Sequence, residues 1–254
     1  MEIRVLGCSG NAYGGLNTTC IQIGEGLVID AGGLSSGLDI DELARLDDII
    51  ISHSHFDHIK DLPMLPELVS RKRKKPITVH ASQKTARELK KHLFNGVVWP
   101  DFTSIPSARS PLLKIKTFKP GDEIALGGLK IRTIPVSHAV ESLGFIVSSG
   151  TDSFAMSGDT GRTTLFWKEL NRRRNIRMLL VETSFPDEES KLAHVAGHLT
   201  PAMLQGELKK LKNPDYPIMV YHLKPAFQGQ VVLQLKELKQ PNMSLLEQGA
   251  VFSF

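Results

Sequence analysis

A short apolar segment that ends in three histidines and an aspartate is the feature that most constrains this chain. Residues 50–58 read IISHSHFDH, at the point where a predicted strand gives way to a predicted helix. His53 and His55 are two residues apart, so they share one side of an extended segment and can bind one cation. Asp57 and His58 begin the next turn and point elsewhere, which suits a second cation. A solvent-facing, histidine-rich loop is the alternative, but the buried strand directly before the segment favours metal ligands.

Two metal sites need more ligands than this segment provides, and ligand-type residues also follow other predicted strands. Taken singly, each of these residues is more typical of a surface histidine or a turn aspartate. Their shared position, just past the carboxyl end of an apolar strand, favours a common metal site. They are His138 after the strand Leu129–Val136, Asp159 after Ser153–Met156, and His222 after Pro217–Tyr221. Imidazole and carboxylate ligands together fit zinc, manganese or iron.

The order of these residues resembles the His-x-His-x-Asp-His, His, Asp, His pattern of the metallo-β-lactamase fold superfamily. The resemblance spans nearly the whole chain and implies an α/β (α+β) protein, a four-layer αβ/βα sandwich with two metal ions at one edge. The ligand sets that it implies are His53, His55 and His138 for the first ion, Asp57, His58 and His222 for the second, and Asp159 as the bridge. Asp30 resembles the family's aspartate that orients a ligand without binding metal. An ordinary turn aspartate at a strand end is the alternative for Asp30.

Two divalent metal ions determine which chemistry the site would perform. Zinc is the first choice, with manganese or iron as alternatives. Two such ions lower the pKa of a bridging water enough to present hydroxide at neutral pH, and they neutralise charge on the substrate. Asp57 is predicted to be a catalytic residue as well as a ligand. The superfamily hydrolyses lactams, thioesters and phosphodiesters, so the fold alone does not choose the substrate.

Two further residues resemble one branch of the superfamily. Glu182 follows a predicted strand, and His198 precedes a predicted helix start at Thr200 and Pro201. A solvated carboxylate and a surface histidine are the alternatives for each residue alone. As a pair they resemble motifs of ribonuclease Z and of class II 3′,5′-cyclic-nucleotide phosphodiesterases, and ETSF and GHLTP are most similar to the latter. An imidazole held by a carboxylate can protonate the leaving alkoxide of a phosphodiester, so His198 is the predicted general acid and Glu182 its partner.

The chain between His138 and Asp159 discriminates between these two enzymes. Ribonuclease Z enzymes usually insert a long tRNA-gripping arm there, whereas this sequence has only a short predicted hairpin. We therefore predict hydrolysis of 3′,5′-cyclic nucleotides, cyclic AMP or cyclic GMP. Phe56 and the stretch Ile59–Pro63 depart from the continuation expected of class II enzymes. The alternatives are an RNA 3′-end-processing nuclease and a non-hydrolytic di-iron oxygen- or redox-sensing protein. His55 argues against the sensing protein, because di-iron sites with flavin partners typically have glutamate at the position of His55.

Composition sets wider limits on the protein. The 254 residues are 41% hydrophobic and 23% charged, which is typical of a globular chain, and no shift in composition divides residues 1–254, which we predict form a single domain. Two cysteines are too few for a disulfide framework. Without a predicted signal sequence or membrane span, we expect a soluble, cytoplasmic protein. The predicted partner is a small-molecule phosphodiester, and no membrane association is expected. The small number of aromatic residues argues against binding of nucleic acid. A homodimer is left open.

The net charge of +4 includes a basic run, Arg71–Lys75. A solvated loop is the favoured interpretation of this run. Steering of a phosphorylated substrate, a nucleic-acid groove and a nuclear signal are the alternatives. Among the remaining histidines, His80 and His92 are predicted to be structural or exposed. His194 is predicted to be a loop histidine, with contact to substrate as the alternative.

The apolar pattern also predicts individual elements. A helix is expected to begin within His55–His58 and to run toward Leu68, another to follow Ser82, and a third to run from Thr200 to about Lys212. The last two apolar segments, Ser244–Leu246 and Val251–Phe254, are predicted to pair with each other. The other predicted elements are strands at Glu2–Leu6, Thr19–Ile23, Leu27–Asp30, Asp48–Ser52, Leu113–Phe118 and Leu143–Val147, and a helix at Thr164–Arg173.

Overall fold

The computed structural model describes residues 1–212 and 214–254. Its chain forms two compact units, and each is described by itself. Unit 1 comprises residues 1–7, 15–119 and 248–253, and unit 2 comprises residues 8–14, 120–247 and 254. The single domain over 1–254 stays a prediction. In the part of the chain that the structure describes, no helix is both long and apolar enough to cross a membrane.

Unit 1 is built on a mixed seven-stranded sheet. Its strands are β1 (Glu2–Gly7), β2 (Cys20–Ile23), β3 (Leu27–Ile29), β4 (Asp48–Ile50), β5 (Ile77–Ser82), β8 (Leu113–Phe118) and β16 (Val251–Ser253), and β6 (Pro106–Ser107) and β7 (Ser110–Pro111) form a separate hairpin. The sheet order is β16-β1-β2-β3-β4-β5-β8. From β3 to β8 the neighbouring strands are parallel. The carboxyl ends of β3 and β4 therefore lie side by side, which is where Asp30 and the histidine segment follow.

Helices cover the apolar residues of this sheet. They are α1 (Leu34–Gly37), α2 (Ile40–Arg45), α3 (Phe56–Ile59), α4 (Leu65–Val69) and α5 (Gln83–Glu88), which continues as a π-helical turn over Leu89–Leu93. The helix predicted after Ser82 is confirmed, and the Ser82 side chain accepts a hydrogen bond from the Thr85 N–H, as an N-cap does. The single helix predicted to run toward Leu68 is instead two short helices, α3 and α4. Pro66 lies in the first turn of α4, where proline favours a new helix start.

Unit 2 has its own seven-stranded sheet. Its strands are β9 (Glu123–Leu126), β10 (Leu129–Val136), β11 (Ser142–Ser149), β12 (Asp152–Met156), β13 (Ile176–Glu182), β14 (Ile218–Tyr221) and β15 (Met243–Leu245). The order is β15-β14-β13-β12-β11-β10-β9, antiparallel from β9 to β12 and parallel from β12 to β15. The predicted hairpin is confirmed as β11 and β12. Its helices are α6 (Leu165–Leu170), α7 (Ser190–Ala196), α8 (Pro201–Leu208) and α9 (Gln228–Glu237), with 3₁₀ turns at Asp187–Glu189 and Pro225–Phe227.

Two further predictions about elements need correction. The last two apolar segments do not pair with each other, because β15 pairs with β14 in the sheet of unit 2 and β16 pairs with β1 in the sheet of unit 1. The helix that begins at Pro201 is confirmed, and the Thr200 side chain caps it by accepting from the Met203 N–H. It ends at Leu208 rather than near Lys212. Cys8 and Cys20 are free thiols.

Candidate metal centre and general acid

The histidine segment of unit 1 begins directly after β4. His53 and His58 are fully buried, whereas His55 and Asp57 are partly exposed. The His53 ring centroid lies 4.7 Å from that of His55 and 4.2 Å from that of His58. Imidazole side chains this close together are typical of metal ligands. Neutral, clustered imidazoles are the form that binds a cation.

The buried carboxylate of Asp30 forms hydrogen bonds with the histidine segment. Asp30 follows β3 with a left-handed backbone (φ 61°) and is fully buried. Its carboxylate accepts hydrogen bonds from the backbone N–H and the hydroxyl of Ser52, both at 2.8 Å, and from Nδ1 of His58 at 2.7 Å. Since a carboxylate can only accept, the proton of His58 sits on Nδ1, and Nε2 is the atom that can coordinate a cation. Asp30 thus contacts one of the predicted ligands, and its orienting role stays a prediction.

Close backbone packing fixes the same segment. The Ala31 N–H donates to the His58 carbonyl at 2.7 Å. A Cβ atom at Gly32 would lie 2.2 Å from the Asp57 carbonyl oxygen, so only glycine fits at this position. The loop after β3 therefore packs closely against the Asp57 and His58 backbone. This packing fixes the backbone from which the ligand-type side chains extend.

In unit 2, His138 follows β10 and packs against the loop between α7 and α8. Its Nδ1 donates to the Gly197 carbonyl at 2.8 Å, which again leaves Nε2 as the coordinating atom. Gly197 adopts φ 73° and ends α7, and a Cβ atom there would lie 2.7 Å from the His138 Cα. The glycine therefore satisfies both the left-handed helix end and the close approach to His138.

Asp159 and His222 come together at the carboxyl ends of β12 and β14. Oδ2 of Asp159 lies 3.1 Å from Nε2 of His222, and both side chains are buried. His222 has φ 69°, and its backbone N–H donates to the Cys8 carbonyl at 2.7 Å. Its Nδ1 lies 2.9 Å from the Ser184 hydroxyl. Within unit 2 the structure thus brings together two of the predicted ligands from different strands.

Glu182 and His198 form a buried pair. Oε1 of Glu182 lies 2.9 Å from Nδ1 of His198 and also accepts from the Thr160 N–H at 3.1 Å, while Oε2 accepts from the Ser184 hydroxyl at 3.1 Å. Burial, and then the charge of Asp159, raise the pKa of Glu182 to about 8. The pairing fixes the His198 ring so that Nε2 points away from the carboxylate, which is the geometry of a positioned proton donor.

Two overlapping groups of nitrogen and oxygen donor atoms in unit 2 are each close enough together to hold a cation. Those of His138, Asp159 and His198 are within 4.8 Å, and so are those of Glu182, His198 and His222. The ring centroid of His198 lies 4.9 Å from that of His138 and 5.3 Å from that of His222. His198 therefore lies next to each of the other predicted site residues of unit 2.

Two serines in the cluster were not predicted as functional residues. Ser184 donates to one oxygen of Glu182 and contacts the Nδ1 atoms of both His198 and His222, whereas Ser52 contacts Asp30 and Nδ1 of His53 at 3.0 Å. Each lies within two residues of a predicted site residue. Proximity in sequence to a predicted site residue was therefore the signal that could have identified both serines. It does not indicate which group each hydroxyl contacts.

The remaining candidates are structural or exposed. His80 is buried and pairs with Asp48 at 2.7 Å, and His92 is exposed beside Glu88, both as predicted. His194 is exposed in α7 rather than in a loop. In the run Arg71–Lys75, the Arg73 guanidinium donates to the Ala44 carbonyl and to Asp47. That member of the run serves local structure.

Comparison with known proteins identifies the family. Residues 33–221 match the model of the beta-lactamase superfamily domain. The chain belongs to this superfamily. It is 32% identical over 232 residues to a probable 3′,5′-cyclic-nucleotide phosphodiesterase of Yersinia pestis, over 78% of this chain and 65% of that protein. It is 26% identical over 189 residues to 3′,5′-cyclic-nucleotide phosphodiesterase 1 of Saccharomyces cerevisiae, over 65% of this chain and 50% of that protein. The chain thus spans less than two thirds of the length of either relative.

Solved structures show the same fold. The crystal structure of unliganded yeast PDE1 superposes with a TM-score of 0.81 at 21% identity, covering 98% of each chain. The metallo-beta-lactamase fold protein YhfI from Bacillus subtilis superposes with a TM-score of 0.78 at 18% identity, covering 99% of each chain. The predicted fold class, mixed α and β and metallo-β-lactamase-like, is confirmed.

Proposed function

We propose that this superfamily member is a binuclear metal-dependent phosphodiesterase that hydrolyses 3′,5′-cyclic nucleotides. Its substrate is then a small-molecule phosphodiester, and its cofactor is two divalent ions, with zinc preferred over manganese or iron. The proposed ligands are His53, His55 and His138 for one ion, Asp57, His58 and His222 for the other, and Asp159 between them. The cytoplasmic location and a homodimer stay predictions.

The donor chemistry of the chain fits such ions. In unit 1 the Nδ1 atoms of His53 and His58 are engaged by Ser52 and Asp30, and in unit 2 those of His138 and His222 are engaged by Gly197 and Ser184. Each ring is thereby oriented with Nε2 as its coordinating atom, as outer-sphere partners do in metal proteins. A ligand set of imidazole and carboxylate groups without thiolate suits zinc, manganese or iron. When bound, two such ions supply an acidified water and neutralise phosphate charge.

His198 and Glu182 are the residues proposed to move the proton. A hydrogen bond joins Oε1 of Glu182 to Nδ1 of His198, and it fixes the ring so that Nε2 can present a proton to the leaving oxygen. Expulsion of an alkoxide from a cyclic phosphodiester needs such a donor, because the alkoxide is a poor leaving group at neutral pH. This buried Glu182–His198 pair is the observation that supports phosphodiester hydrolysis most directly.

The choice of cyclic nucleotide over RNA rests on two further observations. The curated relatives are named 3′,5′-cyclic-nucleotide phosphodiesterases. In addition, β11 and β12 are joined by a tight turn at residues 150–151, so the chain between His138 and Asp159 has no room for a tRNA-gripping arm. A small substrate is therefore favoured over a tRNA end.

Turnover and metal content of one preparation test this proposal. Zinc-loaded protein is assayed against cyclic AMP, cyclic GMP and a generic aryl phosphodiester, and His198→Ala is compared with wild type. We expect hydrolysis of a cyclic nucleotide and a loss of about 10²- to 10⁴-fold in kcat for His198→Ala, with metal content unchanged. Loss of metal from this variant would show that His198 is a ligand rather than the proton donor.

The matched control is His92→Ala, because His92 is an exposed helix residue outside the proposed site. It is expected to retain both turnover and metal. Hydrolysis of none of the three substrates by metal-replete protein would end the proposal. Faster cleavage of precursor tRNA than of cyclic nucleotides would favour an RNA-processing nuclease. Bound iron with an oxygen-dependent visible spectrum and no hydrolysis would favour a sensor.

A further inference from the structure

An exposed aromatic ring lies in the middle of the histidine segment. Phe56 is 68% exposed, between His55 and Asp57 in the sequence. Isolated exposed apolar side chains are common on protein surfaces, so exposure alone says little. The position is what distinguishes Phe56, because its two chain neighbours are proposed metal ligands and residues 52–58 are otherwise polar.

The backbone beneath the ring is fixed on both sides. Phe56 is the first residue of α3, where the His58 N–H donates to the His55 carbonyl at 3.0 Å. The next residue is clamped by the close approach of Gly32 to the Asp57 carbonyl. The Phe56 side chain is therefore attached to a fixed stretch of backbone between two proposed ligands.

The fold makes no visible use of this ring. Within residues 1–212 and 214–254, Phe56 is absent from the buried core of unit 1 and contacts no other aromatic ring. Keeping a phenylalanine in water forgoes the stabilisation that burial would give. A ring retained at that expense next to catalytic groups is better explained by a ligand than by folding.

We propose that the Phe56 ring stacks on the base of the bound nucleotide and so sets substrate preference. This inference rests on the proposed function. Every nucleobase has a π-face, and an aromatic side chain binds that face with little discrimination between bases. Phe56 would then accept both cyclic AMP and cyclic GMP while favouring either over phosphodiesters that lack a base.

Steady-state kinetics on metal-replete enzyme test the role of Phe56. For Phe56→Ala we expect KM for cyclic AMP to rise roughly 5- to 150-fold, with kcat changed little, because stacking holds the substrate without touching the reacting atoms. Phe56→Trp should restore KM. The abasic ribose 3′,5′-cyclic phosphate should show the same KM with wild type and Phe56→Ala. The matched control is Ile40→Ala, because Ile40 is also the first residue of a unit 1 helix and is 44% exposed.

A binding measurement separates this inference from the proposed function. The probe is 2-aminopurine riboside 3′,5′-cyclic phosphate, whose fluorescence falls when its base stacks, added to the slow His198→Ala variant. Quenching is expected with Phe56 or Phe56→Trp and not with Phe56→Ala at equal metal content. If wild type turns over cyclic AMP while Phe56→Ala keeps its KM and its quenching, the inference is wrong and the function stands. A change of oligomeric state on Phe56→Ala, with KM unaltered, would also overturn it by making the ring a subunit contact.

Discussion

Individual residues of the site are held by buried polar partners that are not themselves proposed ligands. Asp30 shows how this works, since one carboxylate accepts from Ser52 twice and from His58 once, all inside the protein. The carboxylate sets the tautomer of His58 and also ties β3 to the start of the histidine segment. Ser184 has the corresponding position in unit 2, where one hydroxyl contacts Glu182, His198 and His222. These partners orient the groups that would perform the chemistry.

At the residue scale we predict that Asp30→Asn weakens metal binding. The amide preserves size but can no longer accept every hydrogen bond or stabilise the Nδ1–H tautomer of His58, so affinity should fall roughly 10- to 100-fold. Zinc competition with a chromophoric chelator measures the change. Asp48→Asn is the control, because Asp48 makes an equally short contact with His80 outside the site. Equal zinc affinity for the Asp30 variant and wild type would contradict the orienting role.

At the scale of elements, the ends of strands and helices carry the site. The loop between α7 and α8 is the clearest case. It places the Gly197 carbonyl on His138 and presents His198 one residue later, before Thr200 caps α8. A left-handed residue is required at position 197, and glycine adopts that conformation without strain.

We expect Gly197→Ala to lower the free energy of unfolding by about 2 kcal/mol or more, because it adds a clash with His138 to the left-handed backbone strain. Gly150→Ala is the matched control. Gly150 has φ 58° with open space around its Cα, so only the strain of ~1 kcal/mol applies. Urea unfolding of the two variants gives the comparison. Similar decreases in the free energy of unfolding for both variants would show that the close approach to His138 does not destabilise Gly197→Ala.

Elements were predicted well where the evidence is local. Ser82 and Thr200 cap the helices they were expected to cap, because an N-cap depends on residues within one turn. Pairing of distant strands was predicted less well. The segments at Ser244–Leu246 and Val251–Phe254 both have strand character, but their partners, β14 and β1, are set by sheet order rather than by the segments themselves. Strand propensity identifies a strand without naming its neighbour.

At the scale of the whole molecule, the family and the fold followed from a few side chains in a fixed order. Ligand-type residues at strand ends are diagnostic because metal binding constrains residue type and order more tightly than packing constrains apolar residues. The hydrogen bonds of Ser52, Ser184 and Asp30 could not be predicted from the sequence in the same detail. They join residues through hydrogen bonds whose direction depends on backbone geometry, such as the left-handed φ of Asp30 and His222.

A metal titration of chelator-stripped protein that follows cyclic AMP hydrolysis tests the proposed binuclear centre most directly. We expect no turnover without metal, and an activity that rises with added zinc and reaches its plateau at two equivalents per chain. His58→Ala should bind one equivalent fewer. Full hydrolysis of cyclic AMP by the stripped protein, or a plateau at two equivalents that His58→Ala leaves unaltered, would show that no such centre performs the reaction.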